Sequence, residues 1–391
     1  MPAKGSTSMP AERIPIANLK PGMYVLNPGI SWINAPLLYM REGLVADQAE
    51  IDGIIQQGFT EVIHDPERAV PTYEPGGALP RVFSRHIAQA QRAHAAAYAH
   101  VKAAMTSGVC DSADIAGAEP CVKSIILALK RNANAMLTLA NLKGRDEYTY
   151  RHSVNVAIFA VAFARHLGLT DQQQQLAGMA GLFHDYGKAL VPREILNAPR
   201  TLSPPEFAVM RSHVLLGYDA LRKIPNIAPE ILEGTAQHHE MHDGLGYPYG
   251  LKGSAIGLFG RIISICDVYD ALSSRRVYKA ALCPSHALAI MYKMNGTAWP
   301  LGFADSFIRM VGVFPLGTAV KLSDGRMGLI SSCDPDFPTR PTVIIVRKSR
   351  GVAYMEDRLD LSAESKICVS RALSFDETED WDIPRLLGIT E

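Results

Sequence analysis

The spacing of apolar residues divides the chain into four stretches with different kinds of element. Over residues 14–70, short alternating runs surround one amphipathic segment. Lys20-Pro21-Gly22-Met23-Tyr24-Val25 reads as a turn running into a strand, 46–55 as a helix capped near Asp47, and 60–64 as another strand. Pro and Gly punctuate 71–80, a natural boundary. From 84 to 105, and again over 119–142, the period is helical in a segment rich in Ala, His and Gln. This connector is either a plain helical linker or a coiled segment that transmits a signal.

Residues 145–312 are helical almost throughout. Helices are expected over 149–167, 171–186, 204–223, 229–239, 257–274 and 284–295. Two of them start at capping boxes, Thr170 with Gln173 and Ser203 with Glu206, the second with Pro204 at the first helical position. After Pro315 the period becomes that of strands. Residues 319–322 and 327–330 flank Asp324-Gly325 as a hairpin, and 342–346 and 352–355 add further strands. The expected fold is mainly α: an all-helical domain, preceded by a small α/β N-terminal module and followed by a small β-rich C-terminal module. The expected boundaries are 10–75, 82–144 for the connector, 145–313 and 314–391.

Composition narrows the class. With 391 residues and 48% hydrophobic residues, the chain can bury two or three cores as a globular protein. Lys+Arg and Asp+Glu balance at 39 each, so no nucleic acid polymer is expected, while a local basic pocket for a small phosphate ester stays open. The six cysteines form no CxxC pair, which suits reduced thiols in the cytoplasm. The N-terminus lacks the apolar core of a secretory signal. The longest apolar run, 154–164, is broken by Asn155 and ends at Arg165-His166, too short for a membrane segment. A cytoplasmic location is therefore expected.

Candidate chemistry gathers at the ends and apolar faces of the predicted helices. His184-Asp185 closes one helix just before Gly187, and His238-His239 closes another before the Gly/Pro-rich loop 243–248. Adjacent residues on a regular helix diverge by about 100°, so two neighbouring histidines turn to one point only where the helix stops. His152 lies early in an apolar helix, His213 reads as mid-helix and inward beside Val209, Leu216 and Gly217, and Asp267 sits in an apolar helix. Taken singly, His213 is as well a hydrogen-bonded core residue, Asp267 an internal cap or ion-pair partner, and Lys188 a solvated lysine closing a helix. Five histidines and two aspartates placed this way together point to a metal site.

The order His152, His184-Asp185-Tyr186-Gly187-Lys188, His213, His238-His239-Glu240, Gly246-Tyr247-Pro248, Asp267-Val268-Tyr269-Asp270 resembles the HD-GYP subgroup of the HD phosphohydrolases, over about 145–312. Residues 14–70 are similar to the uncharacterised N-terminal module that precedes some HD-GYP domains. The resemblance implies hydrolysis of cyclic di-GMP to linear pGpG, and in some members onward to GMP, by two-metal activation of a bridging hydroxide. It implies one ion held by His152, His184, Asp185 and Asp267, with Asp185 bridging to a second held by His213, His238 and His239. Fe or Mn suits such ligands best, and Zn also fits.

By the same resemblance Lys188 meets the reacting phosphate as a catalytic cation, Asp270 orients a ligand histidine, and Arg276 and Lys279 contact substrate phosphates. Tyr247 is able to stack on or hydrogen-bond the substrate, and its loop to meet a GGDEF-type diguanylate cyclase. Some members carry a glutamate four residues before the first histidine for a third metal. Tyr148 stands there in this chain, with Asp146 and Glu147 on other sides of the helix, so two ions are expected. The N-terminal module reads as a regulatory or dimerisation unit, which makes a homodimer an expected assembly. Two alternatives stay open: another cyclic dinucleotide such as cyclic GMP-AMP as substrate, and a sensor or scaffold that binds without turnover.

Overall fold

The computed structural model describes residues 12–19, 24–26, 43–44, 51–52, 54–55, 61–64, 81–141, 148–274, 282–333, 337, 339–349, 352–364, 366–374, 376–378 and 380–387. The chain divides into two compact units, Met1–Ala78 with Asp334–Arg340, and Leu79–Cys333 with Pro341–Glu391.

In the first unit, β1 (Glu12–Pro15), β2 (Tyr24–Leu26), β3 (Gly43–Leu44) and β4 (Glu61–His64) form an antiparallel sheet in the order β1-β4-β2-β3. Its core joins Leu19 and Val62 to Ile51 and Ile54, two helical residues one turn apart, with Ile14 and Ile16 beside them. The strands β1 and β3 were not expected. At four and two residues each is too short to show a period of its own.

The second unit begins with a long helical pair, α1 (Arg81–Ser107) and α2 (Ser112–Asn141). Asn132 interrupts α2 with extended backbone, and its Oδ1 accepts from the amide of Ala135 (3.1 Å), capping the helix as it resumes. Next comes α3 (Tyr148–His166), in which every residue from His152 to Ala164 is buried. A helix apolar on all sides must be central, and α3 packs against α1, α2, α4 (Asp171–Phe183) and the later helices Leu258–Ser273 and Phe303–Val311. A 3-10 segment, Tyr186–Leu190, and the short α5 (Arg193–Leu196) lead to α6 (Pro204–Arg211) and α7 (His213–Leu221). The helical layer is completed by α8 (Pro229–Gln237), α9 (Leu258–Ser273), α10 (Pro284–Lys293) and α11 (Phe303–Val311).

Both expected capping boxes are present, at Thr170/Gln173 and Ser203/Glu206. Two expected helices differ in ways that matter for the site. The one over 171–186 stops at Phe183, and the one over 204–223 is two helices that break at Ser212, whose Oγ donates to the carbonyl of Val209 (2.6 Å). His213 therefore opens α7 rather than lying mid-helix. The apolar spacing runs on across the break, so the pattern alone did not reveal it.

The tail forms a five-stranded antiparallel sheet from β5 (Ala319–Leu322), β6 (Met327–Ser332), β7 (Thr342–Ser349), β8 (Val352–Asp360) and β9 (Val369–Ala372), in the order β8-β7-β6-β5-β9. The strand period of two gives it two apolar faces. Val320, Ile330, Val343 and Ile345 point into a core closed by Leu316 and Leu361. Leu329, Ile344 and Val346 pack with Trp381, Leu386 of α12 (Ile383–Leu386), Ile87 of α1 and Ala135 of α2. The connector helices are thus part of the sheet's core. Among the described residues no helix is long and apolar enough to cross a membrane.

Candidate metal centre

The side chains singled out in the helical region converge because helices end around them. His184 follows the last residue of α4, His213 follows the break after α6, and His238 follows α8. Each turns its ring back on its own last turn. His184 Nδ1 donates to the carbonyl of Gly181 (2.8 Å), His213 Nδ1 to that of Met210 (2.7 Å) and His238 Nδ1 to that of Thr235 (2.8 Å). A helix end leaves such carbonyls without amide partners, so the imidazole satisfies them and is itself oriented. With Nδ1 engaged by a carbonyl, each ring turns its Nε2 to the interior.

His152 is held differently. Its Nδ1 donates to Asp270 Oδ2 (2.8 Å), one turn beyond Asp267 on α9. The Asp270 carboxylate is fully buried and also accepts from Ser274 Oγ (3.1 Å) and Asn155 Nδ2 (2.9 Å). Asn155 Oδ1 in turn accepts from His94 Nε2 of α1 at 3.4 Å. Sequence reasoning assigned Asp270 an orienting part but missed Asn155 and His94. Their only sequence signal is a polar residue inside the apolar run of α3 and a histidine on the connector.

Asp185 lies at the middle. Its Oδ2 is 3.5 Å from His152 Nε2 and 3.3 Å from His184 Nε2, and its Oδ1 is 3.3 Å from His213 Nε2 and 3.9 Å from His238 Nε2. Asp267 Oδ1 is 3.0 Å from His152 Nε2 and Oδ2 is 4.0 Å from His239 Nδ1. The His238 and His239 rings are 4.1 Å apart. The ammonium of Lys188 rests on Asp185 Oδ2 from the partly exposed rim. Gly187 allows this crowding, because a Cβ there would overlap the carbonyl oxygen of His213.

Charge is tightly managed in the box. Burial pushes the Asp185 carboxyl up, but the Lys188 ammonium and the His184 and His213 imidazoles outweigh it and hold the group well below the usual carboxylate range. Burial likewise opposes ionisation of Asp267, and contact with His152 reverses the direction. His238 is driven well below the ordinary imidazole value by burial and by its histidine neighbours, and His239 falls to about 3, mainly by burial. His152 shifts the other way, to about 9, because its bonds to Asp267 and Asp270 exceed the cost of burial.

The donor set suits a cation. His184 Nε2 and Asp185 Oδ1 are buried without a hydrogen-bond partner. His213 Nε2 and His238 Nε2 face each other at 3.4 Å although both rings spend their proton on a backbone carbonyl. Facing lone pairs and an orphaned carboxylate oxygen are costly in a dry interior, and a shared cation relieves all of them. Two groups have ligand atoms close enough for one ion each, His152/His184/Asp185 and His213/His238/His239. The residues fit divalent metal, with nitrogen and carboxylate ligands of the kind Fe, Mn and Zn accept.

The loop beyond the histidines is tied to its own backbone by hydrogen bonds. The buried Glu240 carboxylate accepts from the amides of Tyr249 (2.7 Å) and Leu251 (2.9 Å), and Tyr247 N donates to the carbonyl of His239 (3.1 Å). The Tyr247–Pro248 bond is cis. Tyr247 stacks on His239 at 4.7 Å between centroids, and the guanidinium of Arg211 lies 4.0 Å over its ring. The substrate contacts expected at Arg276 and Lys279 lie outside the described residues, as do Asp146, Glu147 and the side chain of Tyr148.

Comparison with known proteins agrees with this architecture. Residues 133–299 match the HD domain model, 12–119 match a domain of unknown function (DUF3391), and 319–380 match the KOW domain associated with HD domain. A cyclic di-GMP phosphodiesterase of Pseudomonas aeruginosa is 34% identical over 96% of this chain and 94% of its own length. The chain belongs to the HD-GYP family of cyclic di-GMP phosphodiesterases. Two further relatives align over smaller shares of this chain. The cyclic di-GMP phosphodiesterase response regulator RpfG of Xanthomonas campestris is 38% identical over 42% of this chain and 44% of its own length. A 3'3'-cGAMP-specific phosphodiesterase of Vibrio cholerae is 35% identical over 40% and 36%. The β-rich tail, read from the sequence only as a small module, matches the KOW domain model, and this HD-GYP chain is a cyclic-dinucleotide phosphodiesterase.

Proposed function

We propose that this chain hydrolyses cyclic di-GMP to linear pGpG with two divalent cations, one at His152, His184, Asp185 and Asp267 and the other at His213, His238, His239 and the opposite oxygen of Asp185. The observation that carries the reading is the Asp185 carboxylate, whose two oxygens face two different sets of imidazole nitrogens. Cations bound there contribute Lewis acidity toward phosphoryl oxygens and make water more acidic. The chain's own residues supply the remainder. Asp185 and Asp267, both held below the usual carboxylate range, supply the anionic oxygens of the box. Lys188, cationic at the rim, offers its other ammonium protons to a phosphoryl oxygen where negative charge grows.

Cyclic di-GMP is favoured over cyclic GMP-AMP because the relative that aligns over 96% of this chain carries that name, whereas the cGAMP-specific one aligns over 40% of it. All seven ligand positions hold ligand-capable residues, which favours turnover over sensing without hydrolysis. The test is anaerobic purification, metal quantification and chromatography of the products. Two Fe or Mn ions per chain and conversion to pGpG are expected, and a chain that goes on to GMP shows it in the same trace. Three ions per chain, or turnover of cyclic GMP-AMP well above cyclic di-GMP, overturns the corresponding half of the proposal.

A further inference from the structure

We propose that Arg211 binds the second phosphodiester of the cyclic dinucleotide, the one that is not cut. The inference rests on the cyclic di-GMP reading above and adds a residue that neither the motif nor the metal ligands include.

Arg211 is the last residue of α6, immediately before the break that releases His213. Its guanidinium carbon stands 4.0 Å over the Tyr247 ring, and Tyr247 is stacked on His239 with 25° between the planes. Three flat groups in successive contact thus lead from a metal-ligand histidine to a cation. The platform is stiff, because Gly246 presses on the backbone of Glu240 and Met241 so closely that a Cβ would overlap it. The hydrogen bonds of the Glu240 carboxylate to the amides of Tyr249 and Leu251 hold the loop's far side.

Among the described residues no carboxylate lies within ion-pair distance of Arg211. Its neighbours along the chain behave otherwise: Arg200 pairs with Glu206 at 2.6 Å and Arg222 with Asp219 at 2.8 Å. A half-buried guanidinium that is stacked through its face keeps its in-plane N–H groups for a planar or tetrahedral anion. A cyclic dinucleotide carries two phosphodiesters. The one being cut takes the metal box and Lys188, and the other calls for a cation displaced from the box and oriented by contact with it, alongside the phosphate contacts expected of Arg276 and Lys279, which lie outside the described residues. Arg211 meets both conditions.

The discriminating ligand is GpG, which has both guanines but a single phosphodiester. KM for cyclic di-GMP and the inhibition constant of GpG against the same reaction are measured for wild type, Arg211→Gln and Arg211→Lys, with metal content checked in each. Loss of a charge-assisted contact is expected to raise KM for cyclic di-GMP about tenfold or more in Arg211→Gln. The GpG constant should rise several-fold less, and Arg211→Lys should fall between wild type and Arg211→Gln. Equal weakening of both ligands means that Arg211 reads a base or merely holds Tyr247, and no weakening of cyclic di-GMP means no contact; either overturns the proposal. If wild type shows no turnover the hydrolytic reading fails separately, and the same ratio is read from calorimetric Kd values. A wild type that binds neither ligand overturns both.

Discussion

The two sides of the metal box are built by different means. On one side His213 and His238 are aimed by carbonyls of their own helix ends, a device that involves no other side chain; on the other, only His184 is. His152 is aimed by Asp270, which depends on Asn155 and Ser274, with His94 of the connector beyond. One side is written into the backbone and the other partly into a side-chain network. The first should yield only to changes that move helix ends, and the second to conservative substitutions far from any ligand.

Substitutions can break this contrast at graded strength. Asp185→Asn removes the carboxylate common to both sides, and turnover should fall by about a thousandfold or more in a product assay. Gly187→Ala attacks the backbone-built side, since its Cβ overlaps the carbonyl oxygen of His213. It should cost about 1–3 kcal/mol in denaturant unfolding and deplete the ion at His213, His238 and His239. Asp270→Asn attacks the other side, lowering affinity for the ion at His152 about 10–100-fold with far less effect on its neighbour. If metal titration shows both substitutions weakening both ions equally, the two sides are not separate.

Asn155→Ala, one step further out, should weaken the same ion less than Asp270→Asn does, by about tenfold at most. The smallest effect is expected at Thr170, whose side chain caps the start of α4 at the end opposite His184. Thr170→Ala should lose about 1 kcal/mol of stability by chemical denaturation and leave the metal content of the chain intact.

What could be read from the sequence follows the range of each interaction. The caps at Thr170 and Ser203 act over three residues and were legible, as was the hairpin around Asp324-Gly325, where Gly325 has φ 90°. The helix over Phe303–Val311 falls within the stretch expected to be helical almost throughout, and Phe303, Ala304, Phe307, Ile308 and Val311 repeat at helical spacing. The break at Ser212 was hidden by apolar spacing that continues through it. Within the site, paired residues such as His238-His239 announce themselves by adjacency. Arg211, Asn155 and His94 are 36, 115 and 61 positions from their partners Tyr247, Asp270 and Asn155. No local pattern encodes contacts of that span.

The most direct test of the account is chromatographic analysis of cyclic di-GMP incubated anaerobically with the Fe- or Mn-loaded chain. The account predicts pGpG formation that disappears with Asp185→Asn. Cyclic di-GMP recovered intact from wild type loaded with two Fe, Mn or Zn ions would contradict it.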